Sequence, residues 1–141
     1  MKVFLDANVL VSVLNKEYPL FSYSARILSL ADNSRFQLYT SPICLAISFY
    51  FSEKKSGATV AKRKMDLLNS KIRVAEVGGD EVLKTLKNPS IKDFEDGLEY
   101  FSAIKASCEV IVSEDSGGFY FSDIPVYSCR EFLDHVVFPN L

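Results

Sequence analysis

The chain holds a single histidine, His135, among 141 residues. That scarcity removes Ser-His-Asp triads, Cys-His nucleophile pairs and multi-histidine metal centres, so any catalysis must run on carboxylates. Cysteine is sparse as well. Cys44, Cys108 and Cys129 are odd in number, widely spaced and unaccompanied by histidine, which argues against a disulfide framework or a zinc site and for small core residues. No apolar run approaches the length of a bilayer span, because Lys, Arg, Asp or Glu interrupts every hydrophobic stretch, and no membrane association is expected. The N-terminus reaches a carboxylate, Asp6, too soon for a signal peptide, so the expected compartment is the cytoplasm. Positive charge is not in excess either. With a net charge of −2 and a pI near 5.4, this is no polycation that grips nucleic acid through bulk charge. A bound cation or a local basic patch would have to supply phosphate contacts.

What is present is globular composition: 48% apolar and 24% charged residues, with eleven Phe and seven Tyr for a core. The length suits one domain spanning residues 1–141. Val3-Phe4-Leu5 is a short apolar run that suits a buried parallel strand ending at Asp6. Short helices are expected over Asn8–Leu14 and Leu20–Ala31, then a strand over Phe36–Thr40. Ser41-Pro42 reads as an N-cap followed by proline at the first helical position, opening a helix to about Phe51. A polar helix follows the break at Gly57, running from Ala58 to Asn69. A third strand is expected over Ile72–Val77, a helix over Asp80–Leu86 and a further helix over Asp93–Ser107. Val110–Val112 reads as a fourth strand, Ile124–Val126 as a short fifth, and Arg130–Val136 as a closing helix. This alternation calls for a three-layer α/β/α fold on a mostly parallel sheet of about five strands.

In open α/β sheets, ligands bind beyond the carboxyl ends of the strands. Asp6 ends the first strand, Asp115 lies just past the fourth, and Asp96 sits in the first turn of the helix leading into the fourth. Each has a plain structural reading: Asp6 and Asp115 as turn residues, Asp93 to Asp96 as helix capping. Spacing alone cannot make the three acids meet. The one basic concentration is Lys54, Lys55, Lys62, Arg63 and Lys64, either a solvated helix face or an RNA-backbone patch. Tyr50, Phe51 and Tyr100 are expected to pack in the core.

Asp6-Ala7-Asn8-Val9-Leu10 resembles the D-x-N-V-L opening of PIN domains, and Lys92-Asp93-Phe94-Glu95-Asp96-Gly97-Leu98 resembles the K-D-F-E-D-A-L segment of one bacterial branch. Ile111-Val112-Ser113-Glu114-Asp115 is similar to the stretch that ends that family's fourth strand. Ile124-Pro125-Val126 and Glu131-Phe132-Leu133 match its usual ending. The blocks occur in order over essentially the whole chain. The resemblance implies a metal-dependent ribonuclease fold common among toxins of bacterial toxin–antitoxin pairs. It implies Asp6, Asp96 and Asp115 as catalytic metal ligands for Mg²⁺ or Mn²⁺, with Asp93 supporting one turn away, Asn8 orienting the Asp6 loop and Ser113 as a further supporting residue. RNA as substrate, a small antitoxin protein as partner and a homodimer are implied with it. Three carboxylates gathered without metal repel, so at least one should titrate high or have a cation beside it.

The match departs from the family in three places. The helix after strand two usually carries a carboxylate, whereas Cys44 to Tyr50 contain none. Glu53 is displaced along that helix by roughly 8–9 Å, and Ser48 could do no more than hydrogen-bond a metal-bound water. Gly118 stands where many relatives have Asp, and Glu114 where they often have a basic residue. Two functional readings therefore stand: a divalent-metal-dependent endoribonuclease, and a degenerate domain that binds RNA or a protein without cutting. A phosphorylatable receiver domain is a distant third, because the Asp6 block lacks the paired acid it needs.

Overall fold

The computed structural model describes residues 1–139. Five strands, β1 (Lys2–Leu5), β2 (Gln37–Thr40), β3 (Arg73–Val74), β4 (Val110–Val112) and β5 (Val126–Tyr127), form one sheet in the order β3-β2-β1-β4-β5. Every pairing is parallel. The helices are α1 (Ala7–Leu14), α2 (Phe21–Ser29), α3 (Pro42–Ser56), α4 (Ala58–Lys71), α5 (Gly79–Lys87), α6 (Phe94–Lys105) and α7 (Cys129–Phe132), the last continued by a π-helical turn over Leu133–Val137. Val3, Phe4 and Leu5 are fully buried, as a central strand covered on both faces by helices must be. Val110, Ile111 and Val112 are equally buried beside them.

The chain runs outward from β1 through β2 to β3, then crosses back over the sheet to β4 on the other side of β1. Right-handed connections place the helices of the two directions on opposite faces. Direction therefore reverses between β1 and β4, and a crevice opens beyond their carboxyl ends. That reversal brings the residues after β1 next to those after β4. Asp6 extends the ladder there, its N–H donating to the Val112 carbonyl at 3.0 Å.

The expected succession of strands and helices along the chain and the three layers match the structure, while several boundaries differ. The third strand covers only Arg73–Val74 rather than Ile72–Val77, because it is a solvent-facing edge paired on one side alone. The fifth is Val126–Tyr127 rather than Ile124–Val126, since the backbone before it is held by the Ser122 hydroxyl bonding within its own loop. The α3 helix runs five residues past Phe51 to Ser56, no breaker intervening before Gly57. Ser41 caps it as anticipated, its Oγ accepting from the Cys44 N–H at 3.2 Å.

The core holds all three cysteines as free, buried thiols. Tyr100 is also buried, packed edge-on against Phe101 and Phe121. Tyr50 and Phe51 correct the expectation that they belong to the core: they are 56% and 44% exposed, because α3 turns that side of its last turns to solvent. Among the described residues, no helix is long and apolar enough to cross a membrane.

Candidate functional site

Asp6 leaves the end of β1 and immediately caps α1. Its Oδ1 accepts from the Ala7 N–H at 2.6 Å, and its Oδ2 accepts from the Ser113 hydroxyl at 2.7 Å and from Asn8 Nδ2 at 3.4 Å. Ser113 is the hub that joins the two strand ends. While donating to Asp6, its oxygen accepts from the Asp115 N–H at 3.0 Å and from Asn8 Nδ2 at 3.2 Å. Asn8 Oδ1 in turn accepts from the Glu114 N–H. Asn8 and Ser113 thus bind the loop after β1 to the loop after β4 and fix the orientation of the Asp6 carboxylate.

The third element is the start of α6. Asp93 is its N-cap, Oδ1 accepting from the Asp96 N–H at 3.1 Å, which is the capping role its position suggests. Asp96 lies one turn further in. Asp6, Asp93, Asp96 and Asp115 all line one open cleft of about 500 Å³ with Ala7, Asn8, Val11, Glu17, Leu20, Ile47, Phe51 and Glu95. Six of these twelve lining residues are acids and none is a cation. The electrostatic consequence falls on Asp96. Burial first, then the charges of Asp93, Asp6, Asp115 and Glu95, push its carboxyl from 3.8 up to about 7. Glu95 is raised for the same reasons, burial foremost.

The side of the cleft that α3 supplies is apolar. Ile47 and Phe51 line it, Glu53 is exposed outside it, and Ser48 donates back to the Cys44 carbonyl of its own helix at 2.6 Å. Gly118 leaves room for the acids opposite. A Cβ there would come within 2.7 Å of Asp115 Oδ2 and 3.0 Å of Asp96 Oδ2, so the two carboxylates close on the space that any side chain replacing Gly118 would enter. Glu114 has a structural partner, its carboxylate accepting from the Cys129 N–H at the start of α7.

Three acids escaped the sequence reading, Glu95 on the cleft lining and two others. Glu17, from the loop after α1, lines the cleft mouth. Glu99 lies beneath it, 1% exposed, with a carboxylate oxygen, an Asp6 oxygen and the Cys44 sulfur all within 4.8 Å of one another. Burial, followed by the Asp6 charge, pushes the Glu99 carboxyl from 4.5 up to about 10. The available signal was spacing: Glu99 follows Asp96 by three positions and therefore shares its helix face.

The basic cluster is not part of the acidic cleft. Lys55 and Lys64 donate their Nζ groups to the carbonyls of Asn15 and Leu14 at the end of α1, where cations are stabilised by the helix dipole. Lys54 stands over the Tyr50 ring at 5.4 Å. Lys62 and Arg63 border a separate shallow depression with Leu45, Met65, Asp66 and Asn69.

The sequence model of the PIN domain matches residues 2–117. The chain belongs to the PIN-domain family. It is 29% identical over 140 residues to the ribonuclease VapC1 of Aquifex aeolicus, covering 94% of each chain. Among solved structures, this PIN domain superposes on VapBC2 of Rickettsia felis, bound to a DNA fragment from its promoter, with a TM-score of 0.66 at 21% identity, over 91% of this chain and 98% of that one. It also superposes on Mycobacterium tuberculosis VapC20, a toxin that cleaves the sarcin–ricin loop, with a TM-score of 0.61 at 15% identity, over 77% of this chain and 86% of that one. The PIN-domain family is the one the sequence blocks resemble.

Proposed function

We propose that this PIN domain is a divalent-metal-dependent endoribonuclease and the toxin of a toxin–antitoxin pair. The observation that carries the reading is the convergence of Asp6, Asp96 and Asp115 on one cleft with no cation among its lining residues. A phosphodiester cannot approach six carboxylates unless their charge is neutralised, and an all-oxygen donor set fits Mg²⁺ or Mn²⁺. When bound, such an ion supplies Lewis-acid stabilisation of a phosphoryl oxygen and acidifies water.

The chain's own residues have separate tasks. Asp6, held by Ser113, Asn8 and the Ala7 N–H, is the preorganised ligand. Asp96 and Asp115 close on it from α6 and from the loop after β4, and Asp93 holds the Asp96 N–H in place. With a carboxyl raised to about 7, Asp96 can take or release a proton near neutral pH without metal. The apolar wall of Val11, Leu20, Ile47 and Phe51 would meet a base or ribose, leaving the phosphate to the acids. By similarity to the VapBC complexes, we assign a small antitoxin protein as partner, and the same family analogy makes a homodimer the expected assembly.

One observation favours a second reading, binding without cleavage: α3 presents Ile47 and Phe51 to the cleft, with no carboxylate. Incubation of single-stranded RNA with the protein in Mn²⁺ or in chelator separates the two. Cutting should occur only with metal, should be abolished by Asp6→Asn and Asp96→Asn, and should be reduced less by Asp93→Asn, with melting curves confirming the folds. Cutting that survives Asp6→Asn lies elsewhere or is contamination. RNA left intact by the wild type, with no metal-induced rise in melting temperature, hands the case to the binding-only reading.

A further inference from the structure

The α3 side of the cleft offers Ile47 and Phe51 and no carboxylate, and a further buried oxygen donor beside Asp6 comes from a different helix. Glu99 is fully buried, and apart from the Asp6 carboxylate beside it its Oε2 has no hydrogen-bond partner. Two buried carboxyl groups set side by side call for a shared hydrogen or a cation between them. Its other oxygen, Oε1, accepts from the Cys44 thiol at 3.3 Å. Cys44 thereby holds the carboxyl group in one orientation and leaves Oε2 as the uncommitted atom. The ligating atoms of Asp6, Cys44 and Glu99 lie within 4.8 Å of one another. Oxygen ligands on opposite sides of a Mg²⁺-sized ion stand roughly 4.2 Å apart, twice a bond of about 2.1 Å. A rotamer-scale adjustment of Glu99 therefore suffices to share an ion with Asp6.

We propose that Glu99 is an oxygen ligand of the divalent ion held at Asp6, supplying from α6 the carboxylate that α3 lacks, with Cys44 as the thiol donor that orients it. The inference rests on the metal-dependent reading above. Helix geometry supports it: Asp96 and Glu99 are three residues apart on α6, so one helical face delivers two carboxylates, one to the cleft and one beneath it. A thiol is a poor partner for a hard cation, so Cys44 serves as hydrogen-bond donor and is no ligand. A divalent ion also reverses the local field that otherwise disfavours a second charge beside Asp6.

The test is Mn²⁺ binding by the full-length, chelator-stripped protein, followed by titration calorimetry and by the metal-induced rise in melting temperature. Glu99→Gln keeps the volume and removes the ligand charge. It should weaken Mn²⁺ binding at least tenfold while leaving the metal-free melting temperature unchanged or higher. Glu99→Asp keeps the charge but withdraws it by one methylene, and should also bind more weakly. Wild-type affinity in either folded Glu99 variant overturns the assignment and leaves the metal reading standing. Absence of Mn²⁺ binding by the wild type overturns both.

Discussion

Replacing Ser113 by Ala tests whether the seam between the β1 and β4 loops is as tightly coupled as its hydrogen bonds indicate. The hydroxyl is fully buried and gives a 2.7 Å bond to Asp6 Oδ2. Bonds of this kind to a carboxylate are worth about 1.5–3 kcal/mol. Its removal leaves Asp6 Oδ2 with only the long 3.4 Å contact from Asn8. The Asp115 N–H and Asn8 Nδ2 lose an acceptor as well. Both of those donors are partly exposed and can turn to water, so they add little. The expected loss is about 2–4 kcal/mol, equivalent to a fall in melting temperature of roughly 6–15 °C for a chain of this size.

Ser102→Ala is the matched control. Its hydroxyl is equally buried but donates to a neutral acceptor, the Glu76 carbonyl, at 3.0 Å, which should cost about 1 kcal/mol. Urea denaturation of the three proteins in chelator near neutral pH provides the comparison. A Ser113→Ala loss no larger than that of Ser102→Ala would refute the view that Asp6 is held by a charge-assisted bond.

The raised Asp96 carboxyl sets a pH dependence for the metal-free protein. Its folded pKa of about 7 lies above its ordinary 3.8, so the group has no effect below about pH 4, where both states are protonated. As pH rises towards 7 the unfolded state ionises first, so the Asp96 contribution should fall across that window and level off above it, while Glu99, raised from 4.5 to about 10, continues the decline at higher pH. Denaturation midpoints in chelator should show the decline, Asp96→Asn should make it shallower between about pH 4 and 7, and a midpoint that rises over the same range would contradict it. Lys64→Ala should cost about 0.5–1.5 kcal/mol because it uncaps the Leu14 carbonyl at the end of α1. Lys62→Ala, whose side chain is exposed, should be neutral within about 0.5 kcal/mol. Equal losses in thermal denaturation would show that Lys64 is only another surface charge.

Much of the architecture was legible in local patterns. Val3-Phe4-Leu5 reads as a buried strand because three consecutive apolar residues need cover on both faces. The Ser41-Pro42 start of α3 and the Asp93 cap of α6 follow from chemistry within four residues of each helix end. Family-like blocks then named Asp6, Asp96 and Asp115 as residues that belong together. Their actual meeting depended on strand order, since only the placement of β4 beside β1 puts Asp115 and Ser113 next to Asp6.

Side-chain environment was a tertiary matter throughout. Tyr50 and Phe51 carry the composition of a core but lie on the solvent side of α3, because burial depends on which helix face meets a neighbour. Lys55 and Lys64 sit within a charge cluster that looks like one patch in the chain, yet the packing of α1 against α3 and α4 turns them onto the carbonyls that end α1. Glu99 shows the limit most clearly. In the chain it stands between Leu98 and Tyr100 as an ordinary helix glutamate. Only the approach of α3 to α6 buries it against Cys44 and Asp6, because a carboxylate's environment is set by residues distant in sequence, whereas the tendency to form helix or strand is set by near neighbours.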